Sequence, residues 1–443
     1  MDTNRVIAWG VLVVVCAAVV AAPVAGAEVG TRTAPNPCVG TVHDAPDRTT
    51  LVTIQGARGA EKTAAMLVSL RPDGSVRGLH NGSAHGKWWF YDVDPLANGN
   101  LLLSTTEPGV SVVEELSPTG THVATRRFPN VLDSHDADLV DGELLVTDMS
   151  RDGNDRVFAY NLSAGERTWQ YRFADHAAFP TSGGGPYGGD WTHNNDIEAI
   201  GDGLVMVSVR NFDTVVAIDR ETKEIAWQLG SDDNREVLFE QHNPDYLETP
   251  TGRPTVLVAD SRNDRVVEYT RTDDGWTLTW AVSGFAEPRD ADRLPNGNTL
   301  VVDRRGDRLV EVTPTGEVVW EVYTPWQPYD AERLGTGDES TGPTMREHGT
   351  TGRYEATGGA DFGPERKEAC YAFLQGVTAD RLLPQETPTP TAASTQTATQ
   401  ATDDGQTPAG LARGSGADPS AGWLLAGGLL ATVVGLLLYG RRP

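Results

Sequence analysis

The chain has 443 residues, and 62 Asp and Glu outweigh 36 Lys and Arg for a formal net charge of −26. So acidic a surface repels nucleic acid and excludes a polybasic membrane-binding face. Only Lys62, Lys87, Lys223 and Lys367 are lysines. A carboxylate-rich, lysine-poor composition suits a protein kept hydrated in concentrated salt and predicts a halophilic source. The length calls for one large repetitive domain or two ordinary ones.

The first expected element is a signal peptide over residues 1–27. Arg5 precedes an almost wholly apolar run that exits through Ala25-Gly26-Ala27, the arrangement of a secretory leader. Three β-rich stretches follow, TTLVTIQ from Thr49, AAMLVSL from Ala64 and SVRGL from Ser75. The expected folded domain spans 36–383.

A repeat then dominates the chain. An x-D/N-x-D/E motif followed by an apolar residue and a Gly-containing turn begins at Tyr91, His135, His193, His242, Arg289 and Tyr329, at intervals of 44, 58, 49, 47 and 40 residues. The first five copies lead into short apolar runs such as LVMVSV and TVLVAD. Four continue through a turn at Asp155, Asp213, Asp264 or Asp307 and end a further strand near Trp169, Trp227, Trp280 or Trp320. Four short antiparallel strands per repeat of this length make a β-propeller blade. The sixth copy, from Tyr329, has only its first strand. The three early stretches supply the missing ones, so the prediction is an all-β, six-bladed propeller closed by a composite blade from both ends of the domain.

Residues 365–383 are expected to be helical and to brace the ring. Beyond them, 384–420 is a Thr/Pro-rich stretch that cannot bury a core and reads as a stalk. Residues 421–440 form an apolar run followed by Arg441 and Arg442, long enough to span a bilayer. The expectation is an exported domain held on the extracellular face of the membrane by a C-terminal transmembrane helix. Asn81 and Asn161 stand in N-glycosylation sequons. With the leader removed, Cys38 and Cys370 remain, and an even pair flanking an exported domain is expected to form one disulfide.

The first residue of each motif faces the channel, which places Tyr91, His135, His193, His242, Arg289 and Tyr329 at its mouth. Three histidines in register on consecutive blades suggest a site. The recurring acids Asp136, Asp138, Asp196, Asp245, Asp290 and Asp292 are read as turn and inter-blade hydrogen-bond acceptors, with Asp245 also placed to orient an imidazole. The long interval before His193 carries a Gly-rich insertion, Ser182 to Trp191, suited to a lid, to close backbone approach to a ligand, or to an ordinary long loop. Arg210 follows LVMVSV where the next blade has Ser261, and an arginine beside imidazoles is a ready site for a tetrahedral oxyanion.

In D-W-T-H-N-N-D from Asp190, V-S-V-R-N ending at Asn211, A-W-Q-L-G from Ala226 and F-E-Q-H ending at His242, the chain resembles the bacterial arylsulfate sulfotransferases. Those are exported six-bladed propellers that move a sulfuryl group between phenols without a nucleotide cofactor. The resemblance implies catalytic roles for His242, as a transiently sulfated nucleophile, and for His135. It implies sulfuryl binding by His193 and Arg210, and Arg289, Tyr91 and Tyr329 line the same mouth. The implied partners are an aryl sulfate and a phenol, with no cofactor. Unlike well-studied members, this chain has no room for an N-terminal β-sandwich before Thr49. Two other classes remain open on the residues alone: a non-catalytic cell-surface ligand-binding propeller, and a metal-dependent lyase in which three histidines hold zinc.

Overall fold

A computed structural model describes residues 36–384, apart from 151, 248, 250, 337–338 and 378–380. The expected signal peptide, most of the stalk and the C-terminal apolar run lie outside the described residues. Among the described residues no helix is long and apolar enough to cross a membrane.

The strands group into six blades. Blade 1 comprises Trp89–Pro95, Leu101–Glu107, Val110–Leu116 and His122–Phe128. Blade 2 comprises Leu139–Val140, Glu143–Asp148, Arg156–Asn161 and Glu166–Arg172. Blade 3 runs from Asn194–Ala199 through Leu204–Val209 and Thr214–Asp219 to Ile225–Gly230. Blade 4 comprises His242–Leu247, Thr255–Asp260, Arg265–Thr272 and Gly275–Ser283. Blade 5 comprises Pro288–Arg293, Thr299–Asp303, Arg308–Val312 and Val318–Tyr323. Two short strands extend the outer edges: Gly352–Glu355 pairs in parallel with blade 4, and Val39–Val42 antiparallel with blade 5.

Blade 6 is the composite. Thr50–Ile54, Met66–Leu70 and Val76–Asn81 form its outer three strands. The stretch 328–334 completes it through Leu51 N to Glu332 O (2.8 Å), Thr53 N to Asp330 O (2.9 Å) and Leu334 N to Thr49 O (3.0 Å). Closure by both ends of the domain leaves no open inner edge in the ring.

The period-2 pattern of the strands puts apolar side chains between blades, and six buried clusters result. The recurrent tryptophans tie neighbouring blades together. Trp169 Nε1 donates to Arg220 O of the next blade at 2.8 Å, Trp280 to Pro314 O at 2.8 Å and Trp320 to Pro72 O at 3.0 Å. Trp280 and Trp320 are fully buried, so each hides on the order of 150–250 Å², worth about 4–6 kcal/mol of transfer free energy. The indole N–H is satisfied at the same time, which removes the usual penalty for burying it.

Among the acids that follow the channel residues, Asp136 and Asp290 are inter-blade acceptors, as expected, and Glu198 and Asp330 join them. Glu198 accepts from Tyr246 N at 2.8 Å, Asp290 from Ala331 N at 3.2 Å and Asp330 from Val93 N at 2.9 Å, while Asp136 accepts from Ile197 N. The turn aspartates make a second belt. Asp155, Asp213, Asp264 and Asp307 receive the backbone N–H groups of Thr192, Glu240, Glu287 and Gln327, at 2.9–3.0 Å. Each of these donors stands one or two residues before a channel residue. The turn of one blade therefore sets where the next blade enters the mouth.

Cys38 and Cys370 are disulfide-bonded. The helix carrying Cys370 spans Pro364–Gln375, so the expected helix over 365–383 is too long. It stops at Gly376, a poor helix former, and 381–383 instead crosses the outer strand of blade 6. There Gly78 is required, since a Cβ would come within 2.3 Å of Arg381 O.

Candidate functional site

All six channel-facing residues and Arg210 converge at one end of the channel. Ring centroids lie 4.1 Å apart for Tyr91 and His135, 5.0 Å for His135 and His193, and 6.5 Å for His193 and His242. Tyr329 closes the circle, 5.5 Å from His135 and 6.1 Å from His242.

His242 opens the inner strand of blade 4 and is buried. Its Nδ1 faces two acceptors, Glu240 O at 3.1 Å and Ser261 Oγ at 3.0 Å. The Ser261 hydroxyl donates to Pro288 O at 2.6 Å, so its oxygen is left to receive the imidazole N–H. This arrangement places the proton on Nδ1 and leaves a lone pair on Nε2. Arg289 Nη1 stands 2.7 Å from both ring nitrogens. Burial, and then the charges of Arg289 and Arg210, hold the imidazole pKa well below its ordinary value. Nε2 is thus uncharged at neutral pH, and its lone pair accepts from Arg289 until that guanidinium is drawn to a substrate oxyanion.

His193 enters its strand at φ +46°, the left-handed region that non-glycine residues adopt only when their surroundings hold them there. The restraint comes from Thr192, whose N–H and hydroxyl both donate to Asp155. Nδ1 of His193 donates to Asp190 Oδ1 at 2.7 Å, and Nε2 accepts from Arg210 Nη1 at 2.8 Å. Burial, with Arg210 beside it, pushes this imidazole down to about 3. Burial alone would raise the Asp190 carboxyl, but the His193 hydrogen bond and the Arg210 charge bring it below its ordinary value.

His135 lies between a phenol and a carboxylate. The Tyr329 hydroxyl is 3.0 Å from its Nδ1, and Asp133 Oδ1 is 3.7 Å from its Nε2. The Tyr91 hydroxyl donates to the same Asp133 oxygen at 2.8 Å. Burial pushes both phenols well above their usual range, so they remain hydrogen-bond donors across the accessible pH range.

Every site residue expected from the sequence is in the cluster, and the structure adds the groups that orient them. Asp133, Glu240 and Glu287 each precede a channel residue by two positions, a second periodicity that could have been read from the same repeat. Glu287 accepts from Arg289 Nη2 at 2.9 Å and from Arg304 Nη1 at 3.0 Å. Arg304 follows TLVVD in blade 5 just as Arg210 follows LVMVSV in blade 3, so that parallel was also legible. Burial, with Arg304 next in weight, lowers Arg289 to about 9. It is nonetheless mostly protonated at neutral pH.

Two readings left open by the sequence are narrowed. Asp245 accepts from Ser340 N at 3.1 Å, in keeping with the structural role its recurrence suggested, while His242 Nδ1 faces Glu240 O and Ser261 Oγ. The Gly-rich insertion packs against Phe212 and Asn211 of blade 3. A Cβ on Gly184 would meet the Phe212 ring at 2.4 Å and one on Gly185 would meet Asp190 O at 1.9 Å. Trp191 is buried beside it, and Asn211 Nδ2 donates to Asp190 O at 2.7 Å. The glycines permit close packing that presents Asp190 to His193.

The mouth gathers guanidinium groups onto imidazole nitrogens. Such a site repels a divalent cation and attracts an oxyanion, which disfavours the zinc-lyase alternative.

Residues 73–267 match the arylsulfotransferase family model. The match covers the inner strands carrying Tyr91, His135, His193 and His242, together with Arg210. No curated protein matches the chain. Among solved structures, it is similar to a protein of unknown function from Bacteroides caccae, with 14% identity and a TM-score of 0.45 over 71% of this chain and 99% of that one. A periplasmic gluconolactonase from Pseudomonas aeruginosa gives 18% identity and a TM-score of 0.41 over 67% and 88%. A catalytically inactive virginiamycin B lyase from Staphylococcus aureus gives 11% and 0.38 over 64% and 87%.

Proposed function

We propose that this arylsulfotransferase-family protein moves a sulfuryl group from an aryl sulfate to a phenol through a sulfohistidine at His242. The observation that carries the reading is the state of His242: buried, uncharged, with Nδ1 facing two acceptor oxygens and Arg289 standing against Nε2. A neutral imidazole needs no prior deprotonation to attack sulfur.

In the first half-reaction the Nε2 lone pair forms the N–S bond while the S–O bond to the aryl group breaks. The electron pair leaves on the phenoxide, which takes a proton from solvent at the His135 side of the mouth. In the second half the acceptor phenol gives its proton back there, its oxygen attacks sulfur, and the N–S electron pair returns to Nε2. The proton stays on Nδ1 throughout, donated to Glu240 O and Ser261 Oγ, so the adduct retains imidazolium character and remains a good leaving group. Arg210 and Arg289 meet the sulfuryl oxygens, Arg289 passing from the imidazole to the substrate, and His193 holds Arg210 in place. A cleft of about 330 Å³ lined by Trp88, Trp89, Leu132 and Asp133 adjoins the mouth at Asp133 and suits a flat aromatic group. No cofactor enters this scheme. The disulfide supports export of the domain, and we extend the proposal to an enzyme tethered at the cell exterior by its C-terminal apolar run.

The test is incubation with an aryl sulfate alone, followed by rapid non-acidic quenching and peptide mass spectrometry. A sulfuryl adduct on the His242 peptide, discharged by added phenol, is expected. Turnover without an adduct, or an adduct mapping to His193 or His135, would overturn the assignment.

A further inference from the structure

A second trio of histidines lies away from the channel, on the flank where the composite blade meets blade 1. His80 stands near the end of the outermost strand of blade 6, His85 in the short 3₁₀ turn Gly82–His85 that follows, and His122 at the start of the outermost strand of blade 1. One ring nitrogen from each lies within 4.8 Å of the others. The ring centroids are 5.0 Å apart for His80 and His85, 5.5 Å for His80 and His122, and 5.3 Å for His85 and His122.

The sequence between the blades builds this arrangement. The Asn81 side chain accepts from Ser83 N at 3.1 Å, and Gly86, at φ +76°, ends the turn. The residue at 82 must be glycine, because a Cβ would strike the Phe90 ring at 2.3 Å. Phe90 in turn stacks against His80, with centroids 5.9 Å apart. The turn thereby carries His85 back over His80.

We infer that His80, His85 and His122 form a binding site for one divalent transition-metal ion, zinc foremost, that staples the closing blade to blade 1. Three observations point there. First, His80 is only 5% exposed and its Nε2 is buried without a hydrogen-bond partner, a donor set aside at a cost that a metal bond would offset. Second, Glu114 Oε1 lies 3.5 Å from His122 Nδ1. A carboxylate behind a histidine is the usual support of a metal-bound imidazole, fixing the tautomer that leaves the other nitrogen for the metal. Third, the site opens onto a cleft of about 310 Å³ lined by His80, His85, Gly120 and Leu382, which leaves room for a fourth ligand such as water.

Tetrahedral zinc with bonds of about 2.0–2.1 Å holds its nitrogens roughly 3.3–3.4 Å apart. The present 4.8 Å limit therefore calls for a contraction of at most about 1.5 Å. His85 and His122 are exposed and can supply it by side-chain rotation. The cation of Lys87 is nearby but is spent on Glu114 at 2.6 Å and Glu107 at 2.9 Å. Three imidazoles and no ligating carboxylate select zinc, copper or nickel over calcium or magnesium.

The experiment uses the full chain, stripped with EDTA, desalted and titrated with zinc chloride. Metal analysis after desalting should give one zinc per chain, and the melting temperature should rise by about 2–4 °C at saturating zinc. Cobalt(II) chloride should give the visible absorption of a tetrahedral nitrogen site. The double variant His85→Ala/His122→Ala should lose zinc at least tenfold in affinity, along with the thermal shift, while its metal-free melting temperature stays that of the parent. His348→Ala, at an exposed histidine elsewhere, should behave as the parent. Failure of the parent to retain zinc, or equal retention by the double variant, would overturn the inference. Aryl sulfate turnover should be the same with and without one equivalent of zinc, so this result stands apart from the channel chemistry.

Discussion

Two clusters of three histidines in one chain stand in opposite surroundings. At the channel mouth, Arg210 donates to His193 Nε2 and Arg289 stands against His242. On the closing flank, the His122 nitrogen faces Glu114, and the nearby Lys87 cation is paired with two carboxylates. Guanidinium groups on imidazoles make a pocket for an oxyanion. A carboxylate behind an imidazole, with its other nitrogen unclaimed, makes one for a metal cation. The residue type is the same, and the field it sits in decides the ligand.

The largest effect that would break this contrast concerns His242. His242→Ala should lower phenol-dependent release of a chromogenic aryl group to background, a loss of at least ~10⁴-fold, because it removes the nitrogen that carries the sulfuryl group in the proposed scheme. The same variant should retain one zinc per chain. Activity surviving the substitution would remove the covalent mechanism.

Arg210→Lys keeps the charge but loses the planar fork that reaches His193 and the oxyanion together. A fall in kcat of about 10²–10³-fold is expected, with an unchanged circular dichroism spectrum. Wild-type turnover would show that the guanidinium is dispensable.

The cations also predict a pH response. His193 is lowered to about 3 and His242 is also depressed, so the unfolded chain binds protons at these sites below about pH 6.5 while the native protein does not. Their contribution to stability therefore rises with pH between about 3 and 6.5, by ~1.4 kcal/mol per pH unit per group, and is flat above. Denaturant unfolding of His193→Gln should show a shallower slope than the parent in that window. The acid limb of kcat/KM should not fall near the ordinary histidine value, since the nucleophile stays neutral well below it. An activity that halves at pH 6.5 through ionisation of His242 would contradict the burial argument.

The smallest effect tests the other flank of the composite blade. Replacing Cys38 and Cys370 together by Ser should cost about 2–4 kcal/mol of stability, read from urea unfolding, with little change in turnover. Zinc stabilisation should persist in that variant, because disulfide and histidines secure different sides of the blade.

How much of this was legible in the sequence follows from the period of each feature. The blades repeat locally, every 40–58 residues, and strand periodicity assigns channel-facing positions without reference to the rest of the molecule. Tyr91, His135, His193, Arg210, His242, Arg289 and Tyr329 were found that way. The composite closure followed from an incomplete last repeat and its matching strands, and the cysteine pair from an even number of cysteines flanking an exported domain. Asp133, Glu240, Glu287 and Arg304 obey the same repeat and were available to a closer reading of it. Asp190 was not, because it reaches His193 from an irregular insertion whose path depends on glycines packing against Phe212.

The sequence by itself thus determined the architecture, the number of blades and the cast of the channel mouth, since each depends on short-range alternation repeated along the chain. Only the tertiary structure decided which nitrogen of His242 carries its proton, which carboxylate stands behind each histidine, and that His80, His85 and His122 meet at all. Those facts depend on side chains approaching within 5 Å from different strands and turns and, for His80, His85 and His122, from two blades. Closing the ring brings 328–334 against 50–54 and blade 1 against blade 6, and no local pattern encodes a distance across that seam.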